Sequence, residues 1–192
     1  MCFVALALGG CTPHFFETPD TYHKDPLQIA PHRSVVVLPA SFAEERLAVR
    51  QRIDGDDMLE RVVLANNTTA PGENEIVVRT KRRGTLVTYM LRGGFDNPYS
   101  EGSVKDRIAE EFPGHADVST PLDRANRHGP YRYVTATYGD VHCILAWQLM
   151  DAQAAATGQT HTFAVDMRLC DKDRDTDELI ALFDQIDLSP HL

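Results

Sequence analysis

The 192-residue chain lacks any apolar run of bilayer length: its N-terminal run, Cys2–Leu8, falls far short of the ~20 residues a spanning helix needs. Membrane attachment would therefore have to come from the N-terminus. Cations are scarce, with 19 Lys and Arg against 28 Asp and Glu, a net charge of -9 and a pI near 5.3. That balance argues against nucleic acid as a partner, because a phosphate-binding surface would have to be gathered from the minority charge. Recognisable catalytic motifs are missing too: there is no Gly-x-Ser-x-Gly elbow, Walker loop, dinucleotide glycine fingerprint, His-Glu-x-x-His helix or Cys-x-x-Cys pair. No cofactor is expected. Acid and base groups from distant positions can still converge, and Asp123, His128, Asp140 and His142 are the candidates. With eight histidines in the chain, chance clustering is easy.

What is present begins with an address. Leu8-Gly9-Gly10-Cys11 resembles the lipobox of bacterial lipoproteins, in which the peptide is cut before a lipidated cysteine. Residues 1–10 are thus expected to be a signal peptide, truncated because no basic region precedes the apolar core, with Cys11 carrying the lipid. A buried first strand or helix is the competing reading. Residues 11–33, with Pro13, Pro19, Pro26 and Pro31, read as an extended tether, and residues 34–192 as one globular domain. His14, His23 and His32 lie nine apart on that tether, a spacing that does not preform a metal site.

Export would leave Cys143 and Cys170 as an even pair in an oxidising compartment, where they are expected to bridge. Without lipidation they read as two small buried hydrophobes.

Within the domain, Ser34–Leu38 reads as a buried strand ended by Pro39, and Phe42–Ile53 as a polar, helical stretch. Strands are expected over Leu59–Ala65 and Glu75–Arg79, around the loop Asn66–Gly72. Lys81, Arg82 and Arg83 form a basic turn before a strand over Thr85–Leu91; it suits lipid head groups or an acidic partner, although a solvated turn is the commoner case. Ser103 with Asp106 resembles a capping box opening a helix whose Val104, Ile108 and Phe112 share a face. Tyr131–Tyr138 and Val141–Met150 flank Gly139-Asp140 as a hairpin. His161–Cys170 alternates Phe163, Val165, Met167 and Leu169 with Thr162, Ala164, Asp166 and Arg168, the pattern of a half-buried strand. A final helix over Thr176–Ile186 aligns Leu179, Leu182, Phe183 and Ile186, with Asp175 as its cap. The acidic run Asp171–Glu178 fails as an EF-hand, having Thr176 and Leu182 where glycine and glutamate are required. The expected fold is α+β: a mainly antiparallel sheet with two or three helices packed on one face.

Arg127, His128, Tyr131, Trp147 and Gln148 make the densest polar and aromatic stretch and are the candidate interaction surface, with Lys81, Arg82 and Arg83. Rings beside amides suit a sugar, but a domain's single tryptophan is more often core. Arg127-His128-Gly129-Pro130-Tyr131-Arg132-Tyr133, then Cys143-Ile144-Leu145-Ala146-Trp147-Gln148, then Met167-Arg168-Leu169-Cys170 and Asp177-Glu178-Leu179, resemble the bacterial cellulose biosynthesis protein BcsN family. The resemblance implies a lipoprotein-like accessory factor and offers no catalytic residues to carry over, and it too pairs Cys143 with Cys170. The implied partners are the cellulose synthase and export proteins or the glucan itself, with the protein lipid-anchored in the cell envelope and facing the periplasm. The alternatives are a periplasmic polysaccharide-modifying hydrolase, which a converging carboxylate pair in a cleft would favour, and a lipoprotein of a pilus or secretion machine.

Overall fold

The computed structural model describes residues 26–43, 45–54, 57–81, 98–114, 116–153 and 160–189. The chain lays down β1 (Leu27–Gln28), a 3-10 turn at Pro31–Arg33, β2 (Val36–Val37), α1 (Ala40–Ala43), β3 (Arg46–Asp54), β4 (Asp57–Leu64) and β5 (Asn74–Lys81). It continues with α2 (Glu101–Glu111), β6 (Asp117–Val118), β7 (Leu122–Asn126), β8 (Gly129–Tyr138), β9 (Val141–Gln153), β10 (Thr160–Asp171), α3 (Thr176–Asp184) and β11 (Asp187–Leu188). Nine strands form one sheet in the order β1-β3-β4-β5-β10-β9-β8-β6, with β7 also on β8, and β2 pairs with β11 apart from it. Every pairing is antiparallel. The α+β class with a mainly antiparallel sheet is therefore observed.

The helices do not share one face. Successive residues of a strand point to opposite sides of a sheet, so β9 and β10 address two cores. Ile144, Ala146, Met167 and Leu169 pack with Leu179, Leu182, Phe183 and Ile186 of the α3 region on one side. On the other, Cys143, Leu145, Trp147 and Cys170 pack against Val104, Ile108 and Phe112 of the α2 region. The sheet is the middle layer of three.

That arrangement explains why β10 is not the half-buried strand its alternation predicts. Ala164, Asp166 and Arg168 are buried as completely as Phe163 and Val165, because α2 covers the side expected to meet water. The expected helix over Phe42–Ile53 is also corrected: only Ala40–Ala43 is helical, and Arg46–Asp54 is strand. Val49 and Gln51 turn to the α3 side, where Gln51 meets Glu60, while Arg50 and Arg52 turn away, and the ladder to β4 decides the outcome. The tether reading also stops short of Arg33, since Leu27 and Gln28 pair with Gln51 and Arg50.

Other local signals read through more directly. Asn66 turns its loop by accepting from Thr68 N at 3.1 Å. Asp175 and Glu178 close a reciprocal capping box on α3. On α2 the cap is Ser100, whose Oγ accepts from Ser103 N; the expected Ser103 and Asp106 pair both lie inside the helix. Cys143 and Cys170 stand directly opposite on β9 and β10 and are disulfide-bonded. Among the described residues no helix is long and apolar enough to cross a membrane.

Candidate functional site

The charged positions buried under α2 form a seam. Alternation on β10 turns Asp166 and Arg168 toward the helix, and each is 1 % exposed. Arg79 on β5 lies opposite Ala164, diagonal to Asp166. Helical spacing sets Arg107 and Glu111 one turn apart on the face of α2 that meets the sheet. Asp166 Oδ2 then accepts from Arg79 Nη1 at 2.5 Å and from Arg107 Nη1 at 3.1 Å. Arg107 continues to Glu111 at 3.5 Å, and Glu111 to Arg168 at 3.5 Å. The charges alternate across the seam, so each offsets part of its neighbour's desolvation.

Arg168 fastens the far end. It donates to the carbonyls of Glu111 at 3.2 Å, of Glu73 at 2.8 Å and of Pro71, and it lies over the Phe112 ring at 5.6 Å. Burial pulls its pKa below the ordinary arginine value, against the carboxylate of Glu111. Burial likewise raises Glu75, with the Arg61 guanidinium at 3.1 Å opposing it. Tyr99 is held neutral: burial, then the charge of Asp166, pushes its phenol well above the usual range. Its hydroxyl donates to Val165 O at 3.1 Å.

Between α2 and the sheet this seam borders a cavity of about 200 Å³. Arg79, Arg107 and Asp166 are the charged members of its lining and Val104, Leu145 and Trp147 the apolar ones, with Tyr99 and Ser103 also at its wall. Trp147 stands directly opposite Asp166 in the β9–β10 register, so the two share a face.

Of the described residues singled out from the sequence, Trp147 lines this cavity and the others lie elsewhere. Trp147 is 5 % exposed and belongs to the α2-side core. Tyr131 is buried against Phe183, with ring centroids 4.9 Å apart, and donates to Asp184 at 2.7 Å; burial and that carboxylate raise its pKa. Gln148 is buried in a reciprocal amide pair with Asn126, both bonds 2.9 Å. These three are therefore buried rather than arrayed as an exposed surface of rings and amides. Arg127 and His128 do reach the surface, at the β7–β8 turn, where both face Asp187 at 3.0 and 3.5 Å. Lys81 ends β5, both of whose edges are paired; Arg82, Arg83, Cys11 and the expected strand over Thr85–Leu91 lie outside the described residues.

The four candidate acid and base groups do not converge. His128 precedes β8, while Asp140 and His142 follow it, and the ten residues of β8 separate its ends by about 30 Å. Asp123 is 83 % exposed in its side chain and pairs with Arg132 at 3.2 Å. Among the described residues, no group of three or more His, Cys, Asp or Glu is arranged to hold a metal. Asp166 and Arg107 are the residues the sequence reading missed. Their signal was charge at positions that a second amphipathic element would cover.

A disulfide-bridged, three-layer α+β domain with one charged seam under a helix is the class that fold and site define. The chain belongs to the cellulose biosynthesis protein BcsN family, which matches residues 36–192, from β2 to the end. That membership places it in cellulose biosynthesis. No curated protein matches the chain significantly.

Proposed function

We propose that the protein is a non-catalytic accessory factor of cellulose biosynthesis or export, lipid-anchored through Cys11 in the cell envelope and facing the periplasm. Its partners in this reading are the synthase and export proteins or the glucan. The observation that carries it is the family match over residues 36–192, which takes in both long helices and all but one strand of the main sheet. One feature supports the placement outside the cytoplasm. The Cys143–Cys170 bridge suits an oxidising compartment.

The test is secreted cellulose in a strain lacking the gene, complemented with wild type or with Cys11→Ser. A fall that only wild type restores supports both the role and the anchor. Restoration by Cys11→Ser with the variant still in the membrane fraction at unchanged mass removes the lipid. Unchanged cellulose in the deletion strain sinks the accessory role and turns attention to a pilus or secretion machine.

A further inference from the structure

The cavity between α2 and the sheet has the lining of a ligand site. Its lining is mixed on both layers: the sheet supplies Trp147 and Leu145 beside Arg79 and Asp166, and α2 supplies Val104 close to Arg107. Arg107 Nε is buried and finds no hydrogen-bond acceptor among the described residues. A buried donor left unpaired is destabilising, so an acceptor oxygen supplied from outside would bind there with gain. That acceptor need not be charged. Arg79 and Arg107 already face Asp166, and Arg107 also faces Glu111.

A group with an apolar C–H face and a rim of neutral hydroxyl oxygens matches this mixed lining. Aromatic and aliphatic side chains take the face, and guanidinium donors take the rim. The volume of about 200 Å³ lies below the range of about 300–1,000 Å³ that encloses drug-sized molecules. It admits one sugar ring rather than an oligomer.

We infer that this cavity binds one pyranose ring of a β-glucan, stacked on the Trp147 side with a hydroxyl oxygen accepting from Arg107 Nε. The inference rests on the cellulose role and gives that role a site. It distinguishes recognition of a chain end or a single exposed residue from binding along a flat crystalline face, for which the buried Trp147 offers no platform.

Trp147 is the protein's single tryptophan, so its fluorescence reports the cavity alone. Purified full-length Cys11→Ser protein is titrated with cellobiose, and separately with inorganic phosphate. The expected result is a saturable change in emission with cellobiose. Val104→Phe, which fills the cavity without touching a charge, abolishes it. Arg107→Lys keeps the positive charge beside Asp166 and Glu111 but removes Nε, and weakens binding about tenfold, the worth of one hydrogen bond from a charged donor. Circular dichroism of both variants checks that they fold, and Arg107→Lys decides the matter if Val104→Phe does not. No saturable response to cellobiose overturns the site, as does a response unchanged in the variants. A response to phosphate alone replaces it with an anion site. Because the titration uses purified protein, a negative result leaves the cellulose role itself to the deletion strain.

Discussion

At Gly72 and Arg168 a backbone and a side chain constrain each other. Gly72 has φ +92°, in the left-handed region, and a Cβ built there would meet Arg168 Cζ at 3.1 Å. Arg168 cannot withdraw, since its three donor nitrogens are engaged with Glu111, Glu73 and Pro71. Gly72→Ala therefore adds backbone strain to a side-chain clash, and an expected loss of about 1–3 kcal/mol would be read from the urea midpoint. An unchanged midpoint would mean that the loop moves freely around Arg168. Glu75, on the same face of the sheet, makes a pH-dependent contribution. Burial raises its folded pKa above the ordinary carboxylate value despite Arg61, so the folded state holds this proton more tightly than the unfolded chain. Its contribution to stability is then fully present below the unfolded pKa and is lost as pH rises through the folded one. Melting curves between mildly acidic and neutral pH should decline less steeply in Glu75→Gln than in wild type. Equal slopes would assign the decline to other groups.

At the scale of elements, pattern was legible where one layer decided it. The α3 helix followed from its apolar stripe and Asp175 cap, and the β8–β9 hairpin from Gly139-Asp140, where Gly139 takes φ +65°. Pattern misled where a second layer intervened. β10 carries Asp166 and Arg168 where a surface strand would carry solvated charge, and only the packing of α2 reveals them as buried partners. For β3, the alternation of Val49 and Gln51 with Arg50 and Arg52 was present, but the charges between them resembled a helix surface until β4 supplied the ladder. The short β6 and β7 have almost no buried apolar residues to betray them and exist through pairing with β8. The cavity residues were illegible for the same reason, since Arg79, Arg107 and Asp166 come from three elements that meet only in the fold. The Cys143–Cys170 bridge was legible from cysteine number, and it joins strands already paired by hydrogen bonds. Closing the intervening loop is worth roughly 3–4 kcal/mol in the chain-entropy model. Reduction, or paired substitution of both cysteines by alanine, should lower the unfolding midpoint accordingly while leaving the far-ultraviolet dichroism unchanged at low temperature. Loss of the sheet signal on reduction would mean that the bridge, not the ladder, holds β9 to β10.

For the molecule as a whole, the two ends of the described chain are fastened by one carboxylate. Glu60 is wholly buried on the α3 side of the sheet. It accepts from Ser34 Oγ at 2.6 Å, from Val35 N at 3.1 Å and from Gln51 Nε2 at 3.1 Å. The segment it grips also receives the C-terminal strand: Val36 and Val37 pair with Leu188 and Asp187, and Ser189 N donates to Val35 O at 2.8 Å. The entry of the chain into the domain and its exit are thus one structural unit. If Cys11 is the anchor, any pull on the tether reaches the domain through β1 and then this clasp. Glu60→Ala would leave buried donors without an acceptor, a loss of roughly 2–4 kcal/mol, and should speed amide hydrogen exchange at residues 34–37 and 187–189 together. The α2 face, with its own seam and disulfide, should keep its protection. Glu60→Gln retains one acceptor oxygen and should fall between the two proteins. Acceleration confined to residues 34–37 would separate the termini and refute a shared clasp. Acceleration spread over β9 and β10 would make Glu60 a support of the whole sheet instead.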